Sequence, residues 1–278
     1  MSVSAAPPPA GRQVHQSGGR YRLTLDACGD DWLIRHADGI GVTIADSGRV
    51  MRCHCPDAAR LPLLAEIIVR RVLPRVSGFH RRLPMHGATL GDSDGAIMLL
   101  GSSGAGKSTM TAALALRLGW HIFSDDMSVL DGGPRPLVFP TLPGVSVWPP
   151  SQRALALPTK DCRPLRDRDG KVWYSPASAA PPLPQPLETV ILLSFNPAGT
   201  SIEYKRLAGP SVAVMLLSQI VPFNPQDAGQ IALLAAQCTQ VIAKVPVYGL
   251  VYPRDYLALP DVVDAIRRIR LDAPGVSS

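Results

Sequence analysis

Short apolar runs separated by glycine and aspartate turns fill the first third of the chain. Residues 21–25, 32–35, 41–44 and 50–55 read as strands. Residues 62–72 keep their apolar side chains on one side, with Glu66, Arg70 and Arg71 between them. That pattern predicts a helix with proline in its first turn, ending before Pro74. Residues 20–82 are thus expected to form a small β-rich unit with one helix. Farther on, 86–90, the polar stretch 91–95 and the apolar run 96–100 predict a hairpin. Residues 110–118 are rich in helix formers and stop at Gly119. Strands are expected at 120–123, 127–130, 137–139 and 145–148. The second and third of these make a hairpin about Asp131-Gly132-Gly133, and Pro149 and Pro150 halt the last.

The same reading places a buried strand at 189–194 with 201–205 as its partner, and helices at 210–220 and 225–243. Asn224 caps the second helix and Pro225 takes its first position; Ile231, Leu234, Ala235, Cys238 and Ile242 form its stripe. A strand at 247–252 and a helix at 261–271 close the pattern, which has no internal repeat. The fold class is α/β.

Composition refines this picture. The 278 residues are 46% hydrophobic and 18% charged, enough for one large domain, or one domain plus a small one. Prolines cluster at 5–10 and 178–186. The first cluster predicts a disordered tail over 1–19, the second an extended connector. Residues 273–278 are expected to be a tail. Lys160, Arg163, Arg166, Arg168 and Lys171 fall in an aperiodic stretch, 158–172, that reads as a mobile loop. It is either solvated surface or a clamp on phosphate or an acidic peptide, through Arg163, Arg166 or Lys171.

The net charge is +6. It fits a soluble protein of an arginine-rich proteome, or attraction to ATP, an acidic peptide or nucleic acid. Aromatic residues make up only 5% and do not interleave with a basic run, so nucleic acid is not expected as a partner. No run of about eighteen apolar residues occurs, so no membrane span is expected. The first twenty residues lack a secretory core, and the five cysteines are an odd number. Both features point to reduced thiols in the cytoplasm. Cys53 and Cys55 share one face of a strand and His54 takes the other, an arrangement that does not close a tetrahedral metal site.

Residues 101–109 read Gly-Ser-Ser-Gly-Ala-Gly-Lys-Ser-Thr, a complete phosphate-binding loop between an apolar strand and a helix. Gly101, Gly104 and Gly106 free backbone N–H groups for an anion, and Ser102, Ser103 and Ala105 complete the cradle. Lys107 reaches the β- and γ-phosphates. Ser108 is placed to ligate Mg²⁺, and Thr109 continues into the helix. Ser124-Asp125-Asp126 ends the following strand, where a metal ligand or base is expected. A solvated strand end is the plainer alternative. Asn196 and Asn224 are each followed by proline, so there is no guanine reader, and the Leu-Ser-Gly-Gly signature of transporter ATPases is absent. Asp131–Arg135 resembles a piece of adenylate kinases but reads as a turn.

The order Met85-His86-Gly87, phosphate loop, Ser124-Asp125-Asp126 resembles the HPr kinase/phosphorylase family and its kinase-like relatives, whose fold is similar to phosphoenolpyruvate carboxykinase. Segments 143–149 and 245–254 look like the tail of those relatives. The resemblance implies a kinase domain over 83–272 that uses ATP and Mg²⁺ to phosphorylate a serine hydroxyl on a peptide or small protein. It makes Asp126 the base, with His86 beside it, and Asp125 with Ser108 the metal ligands. Lys107 serves the transferred phosphate. Residues 142–146 hold no acid where bacterial HPr kinases place a metal-binding Glu. Size and layout are similar to kinases of the terminal serine of lasso-peptide precursors. Related kinases form rings of subunits, so a homo-oligomer is among the expectations. Two other readings stay open: a non-catalytic nucleotide-binding regulator, and a kinase of a small molecule such as free serine. His86 as a core histidine is likewise open.

Overall fold

Alternating side chains build a meander at the start of the chain; the computed structural model describes residues 2–17, 23–165, 170–176, 183–196 and 199–272. Strands β1 (Ser2–Ser4), β2 (Arg12–Gln16), β3 (Thr24–Cys28), β4 (Asp31–Arg35), β5 (Gly41–Ala45) and β6 (Val50–His54) form one sheet in the order β1-β6-β5-β4-β3-β2. Its inner face holds Leu25, Ile34, Val42, Ile44 and Cys53, packed on Leu64, Ile67, Val72 and Val76. Of the first expected strand, residues 21 and 22 lie outside the described residues. The tail expected over 1–19 supplies two strands instead. Val3 pairs in parallel with Cys53, and Arg12 pairs with Ala27 in an antiparallel ladder. Without them β3 and β6 would be edges with unpaired backbone groups, which the tail satisfies. The proline cluster falls in the link between its two strands.

The helix expected to stop before Pro74 runs past it, as α1 (Leu61–Ile67), a π turn (Ile68–Val72) and α2 (Leu73–Val76). Pro74 lacks an N–H and its ring would strike the carbonyl four residues back. Widening the preceding turn removes that conflict without ending the helix.

Helices α3 (Lys107–Leu118), α4 (Pro149–Ala154), α5 (Pro210–Leu217), α6 (Ala228–Lys244) and α7 (Leu259–Asp272) follow along the chain. The further strands are β7 (Leu83–His86), β8 (Ala88–Gly91), β9 (Ala96–Leu100), β10 (His121–Ser124), β11 (Met127–Asp131), β12 (Leu137–Phe139), β13 (Val145–Val147), β14 (Cys162–Pro164), β15 (Val172–Tyr174), β16 (Gln185–Asn196), β17 (Glu203–Leu207) and β18 (Val247–Pro253). A nine-stranded sheet runs β10-β8-β9-β16-β12-β11-β7, and β18 joins both β16 and β17. Strands β9, β16 and β18 are parallel neighbours. A separate sheet has the order β13-β15-β14. Ile97, Leu99, Met110, Ala112, Leu114, Ile191, Leu250, Val262 and Ile266 are buried together in one core between strands and helices. The chain is a mixed α/β protein.

Several expectations change. The strand at 86–90 is broken at Gly87, where a Cβ would lie 2.7 Å from the side chains of Met98 and Leu100. Strand 201–205 does not pair with 189–194. Strand β18 takes that place, because its two apolar faces suit the sheet interior, while the polar β17 forms the edge beyond it. Pro149 and Pro150 stop a strand, as expected, but also open α4. Within the basic stretch, Cys162–Pro164 is strand rather than loop, and Arg166 and Arg168 lie outside the described residues. Most of the 178–186 connector also lies outside them, and β16 already begins at Gln185.

The chain divides into two units, Met1–Arg82 with Val221–Leu234, and Leu83–Ile220 with Ala235–Ser278. The return of 221–234 to the first unit is not part of the sequence expectation. Phe223 explains it: the ring packs 4.6 Å from Phe79 and 5.9 Å from Trp32, all within the first unit.

Candidate active site

Strand β9 is wholly buried and ends at Leu100, so the loop that follows emerges at the carboxyl end of an interior strand, between strand and helix. Gly101, Gly104 and Gly106 have φ of 147°, 84° and 87°. These left-handed values suit glycine, and they turn the loop back over the start of α3. A Cβ on Gly101 would sit 2.7 Å from the Leu193 carbonyl, and one on Gly106 would collide with the Tyr252 hydroxyl. Gly104 faces open space. Ser102 and Ser103 are exposed and Ala105 is buried, so the loop has a wet crest on a fixed base.

Lys107 folds back along the loop. Its Nζ donates to the carbonyls of Gly101 at 2.7 Å and Ser102 at 3.2 Å. Burial pushes the ammonium pKa down, while the charges of Asp126 and then Asp125 act in the opposite sense. Both carboxylates therefore lie within electrostatic reach of the lysine.

The two aspartates follow β10 and differ in their surroundings. Asp125 is buried. Its Oδ1 accepts from Ser108 Oγ at 2.9 Å and its Oδ2 from the Ser146 N–H at 2.9 Å. Asp126 Oδ1 lies 3.5 Å from His86 Nδ1, with side-chain exposures of 23% and 41%, so solvent reaches both. At that exposure His86 is not a core histidine. The β7–β11 ladder sets Met127 opposite His86, the Gly87 N–H reaches the Asp126 carbonyl, and the His86 N–H donates to Gln219 O at 2.7 Å. The backbone of His86 is thus held on both sides. Thr109 Oγ1 bonds Ser151 Oγ at 2.9 Å, which bonds the Tyr256 hydroxyl at 3.1 Å.

Other groups were not expected from sequence. Tyr252, buried, donates its hydroxyl to the Ala105 carbonyl at 2.7 Å, and Phe195 packs edge-on to it at 5.0 Å. Burial raises the Tyr252 pKa far above the ordinary range, so the phenol stays a donor. Thr89, Ser124 and Ser128 form a buried hydroxyl cluster with contacts of 2.5 to 3.1 Å, from which Ser128 donates to the Gly87 carbonyl. The usable signal for Tyr252 was its place at the carboxyl end of a strand parallel to β9, where open α/β sheets bind ligands.

This donor set fits a nucleoside triphosphate with Mg²⁺. The glycine cradle leaves no space for side chains at 101 and 106, and Lys107 supplies a cation. Ser108 and Asp125 are hydrogen-bonded to each other and bring two oxygen donors side by side. Among the described residues no cluster of three or more His, Cys, Asp or Glu forms. A cation here would therefore share its coordination with phosphate oxygens and water, as magnesium commonly does.

No protein family profile matches the chain, and no curated protein is similar in sequence. Among solved structures, the Hpr(Ser) kinase/phosphatase from Coxiella burnetii is similar over 68% of this chain and 96% of that one, at 12% identity and a TM-score of 0.35. A likeness of that size fixes neither fold nor chemistry, which rest here on the residues themselves.

Proposed function

We propose that the chain is an ATP- and Mg²⁺-dependent kinase, with a core similar to phosphoenolpyruvate carboxykinase, that phosphorylates a serine hydroxyl of a peptide. The observation that carries this reading is the convergence of Lys107, Asp126 and His86 at one phosphate loop. The loop amides and Lys107 bind the triphosphate. Ser108 and Asp125 would hold Mg²⁺, which when bound neutralises charge on the phosphate oxygens. Asp126 takes the proton of the acceptor hydroxyl as its oxygen bonds to the terminal phosphorus and the bond to the β-phosphate bridge breaks. His86 orients the Asp126 carboxylate. Phosphoryl transfer has a loose transition state, so placement and charge are most of what the protein contributes. The acceptor we favour is the terminal serine of a lasso-peptide precursor, a choice that rests on similar size and layout.

The test is transfer of label from γ-labelled ATP to serine peptides. Asp126→Asn should lower turnover by at least about a hundredfold, within the usual range for a lost acid–base group, while ATP still binds. Retained turnover would remove Asp126 as the base. A second reading, a nucleotide-binding regulator, is favoured by Asp125, whose two oxygens are both engaged within the protein. It predicts ATP binding with no labelled product from any serine peptide.

A further inference from the structure

The end of β18 carries a charge that the proposed reaction does not use. Arg254 is exposed and sits with its guanidinium 5.4 Å from the centroid of the Phe195 ring. That ring packs against Tyr252, which holds Ala105, and a Cβ on Gly106 would come within 3.2 Å of its edge. Phe195 thus bridges the phosphate loop and the arginine, and it fixes the guanidinium by a cation–π contact. Among the described residues no carboxylate is paired with Arg254. The flank is informative too. In the sheet order, β10, which leads to Asp125 and Asp126, lies on one side of β9, and β16 and β18 lie on the other. The terminal phosphate belongs on the aspartate side, so a cation on the β18 side meets the part of the nucleotide that is not transferred.

We propose that Arg254 is a phosphate-binding residue for the α- and β-phosphates, held in place by Phe195; this rests on the loop binding a nucleotide as proposed above. It strengthens binding of substrate and product nucleotides alike. It acts on KM for ATP and leaves kcat unchanged, because its contacts do not change as the terminal group moves.

Calorimetric titration of the full-length protein with ATP and ADP tests this. Arg254→Ala should weaken both nucleotides by roughly tenfold, the usual size of one lost charge-assisted bond. Arg254→Lys should recover part of that loss, since charge remains but the planar fork does not. Lys107→Ala is the control. If it weakens ATP while Arg254→Ala changes neither affinity, the present proposal alone fails. A loss confined to ATP also overturns it, since that would put Arg254 at the terminal phosphate. If Lys107→Ala leaves ATP binding intact, the loop is not a nucleotide site, and both proposals fall.

Discussion

Tyr252 and Ala105 are 147 residues apart, yet one hydrogen bond between them sets the base of the phosphate loop. The phenol is buried, so its loss strands a buried carbonyl. Tyr252→Phe keeps the ring and the packing on Phe195, and the unpaired Ala105 oxygen should cost about 1–3 kcal/mol of loop stability. The expected result is a raised KM for ATP with an unchanged KM for peptide, measured by steady-state kinetics. Equal changes in both would mean a general loss of structure rather than a loop effect. The loop residues themselves were legible in sequence, because glycine, lysine and serine at fixed spacing specify a local backbone. Tyr252 was not, because nothing near position 252 names a partner at 105. His86 and Asp126 became neighbours through the β7–β11 ladder, which only pairing can create.

Helix α6 shows what local pattern reading can confuse at the scale of an element. Asn224-Pro225 looks like a cap followed by a first turn, but the helix begins at Ala228. Asn224 Oδ1 accepts from the Gln226 N–H at 3.0 Å, closing a side-chain turn, and Asp227 Oδ1 accepts from the Gln230 N–H at 3.0 Å. Asp227 is the cap. Two such residues three apart both satisfy the sequence rule, and geometry selects the second. Asp227→Ala should cost about 1 kcal/mol in urea denaturation, the usual price of a lost N-cap. Asn224→Ala should cost less, and the reverse order would return the cap to Asn224. Strand partners were equally ambiguous. Segments 189–194, 201–205 and 247–252 are each consistent with pairing in sequence, and only the apolar character of both β18 faces places it in the middle.

Across the larger unit, Arg270 on α7 ties together segments up to 178 residues distant. Its Nη1 and Nη2 each donate to Asp92 at 2.6 Å, and its Nε donates to Glu188 at 2.7 Å. The guanidinium also lies 4.8 Å from the Trp120 ring centroid. Burial is the largest single influence and would raise the Asp92 pKa, but the Arg270 bonds and charge, together with backbone hydrogen bonds from Asp94 and Gly95, outweigh it and hold the carboxyl below its usual range. A carboxyl lowered on folding stabilises the native state above its unfolded pKa and loses that contribution as pH falls through the folded value. The melting temperature should therefore drop below about pH 4. Asp92→Asn should melt lower at neutral pH and show a shallower acid decline; an identical acid limb would remove the ion pair from the account. Strand–loop–helix order was readable along this unit, but the return of 221–234 to the first unit was not, since it depends on where Phe223 finds its aromatic partners. Among the described residues no helix is long and apolar enough to cross a membrane. The grip of Asp125 on both Ser108 and Ser146 ties the start of α3 to β13 by polar bonds, beside the apolar packing of Val145 and Val147 in the same core. Should Asp125 turn toward a magnesium ion as proposed, it would release the Ser146 N–H, close to the exposed indole of Trp148 just past the end of β13. Its emission is then expected to shift when Mg²⁺ is added, and unchanged emission would leave Asp125 on Ser146.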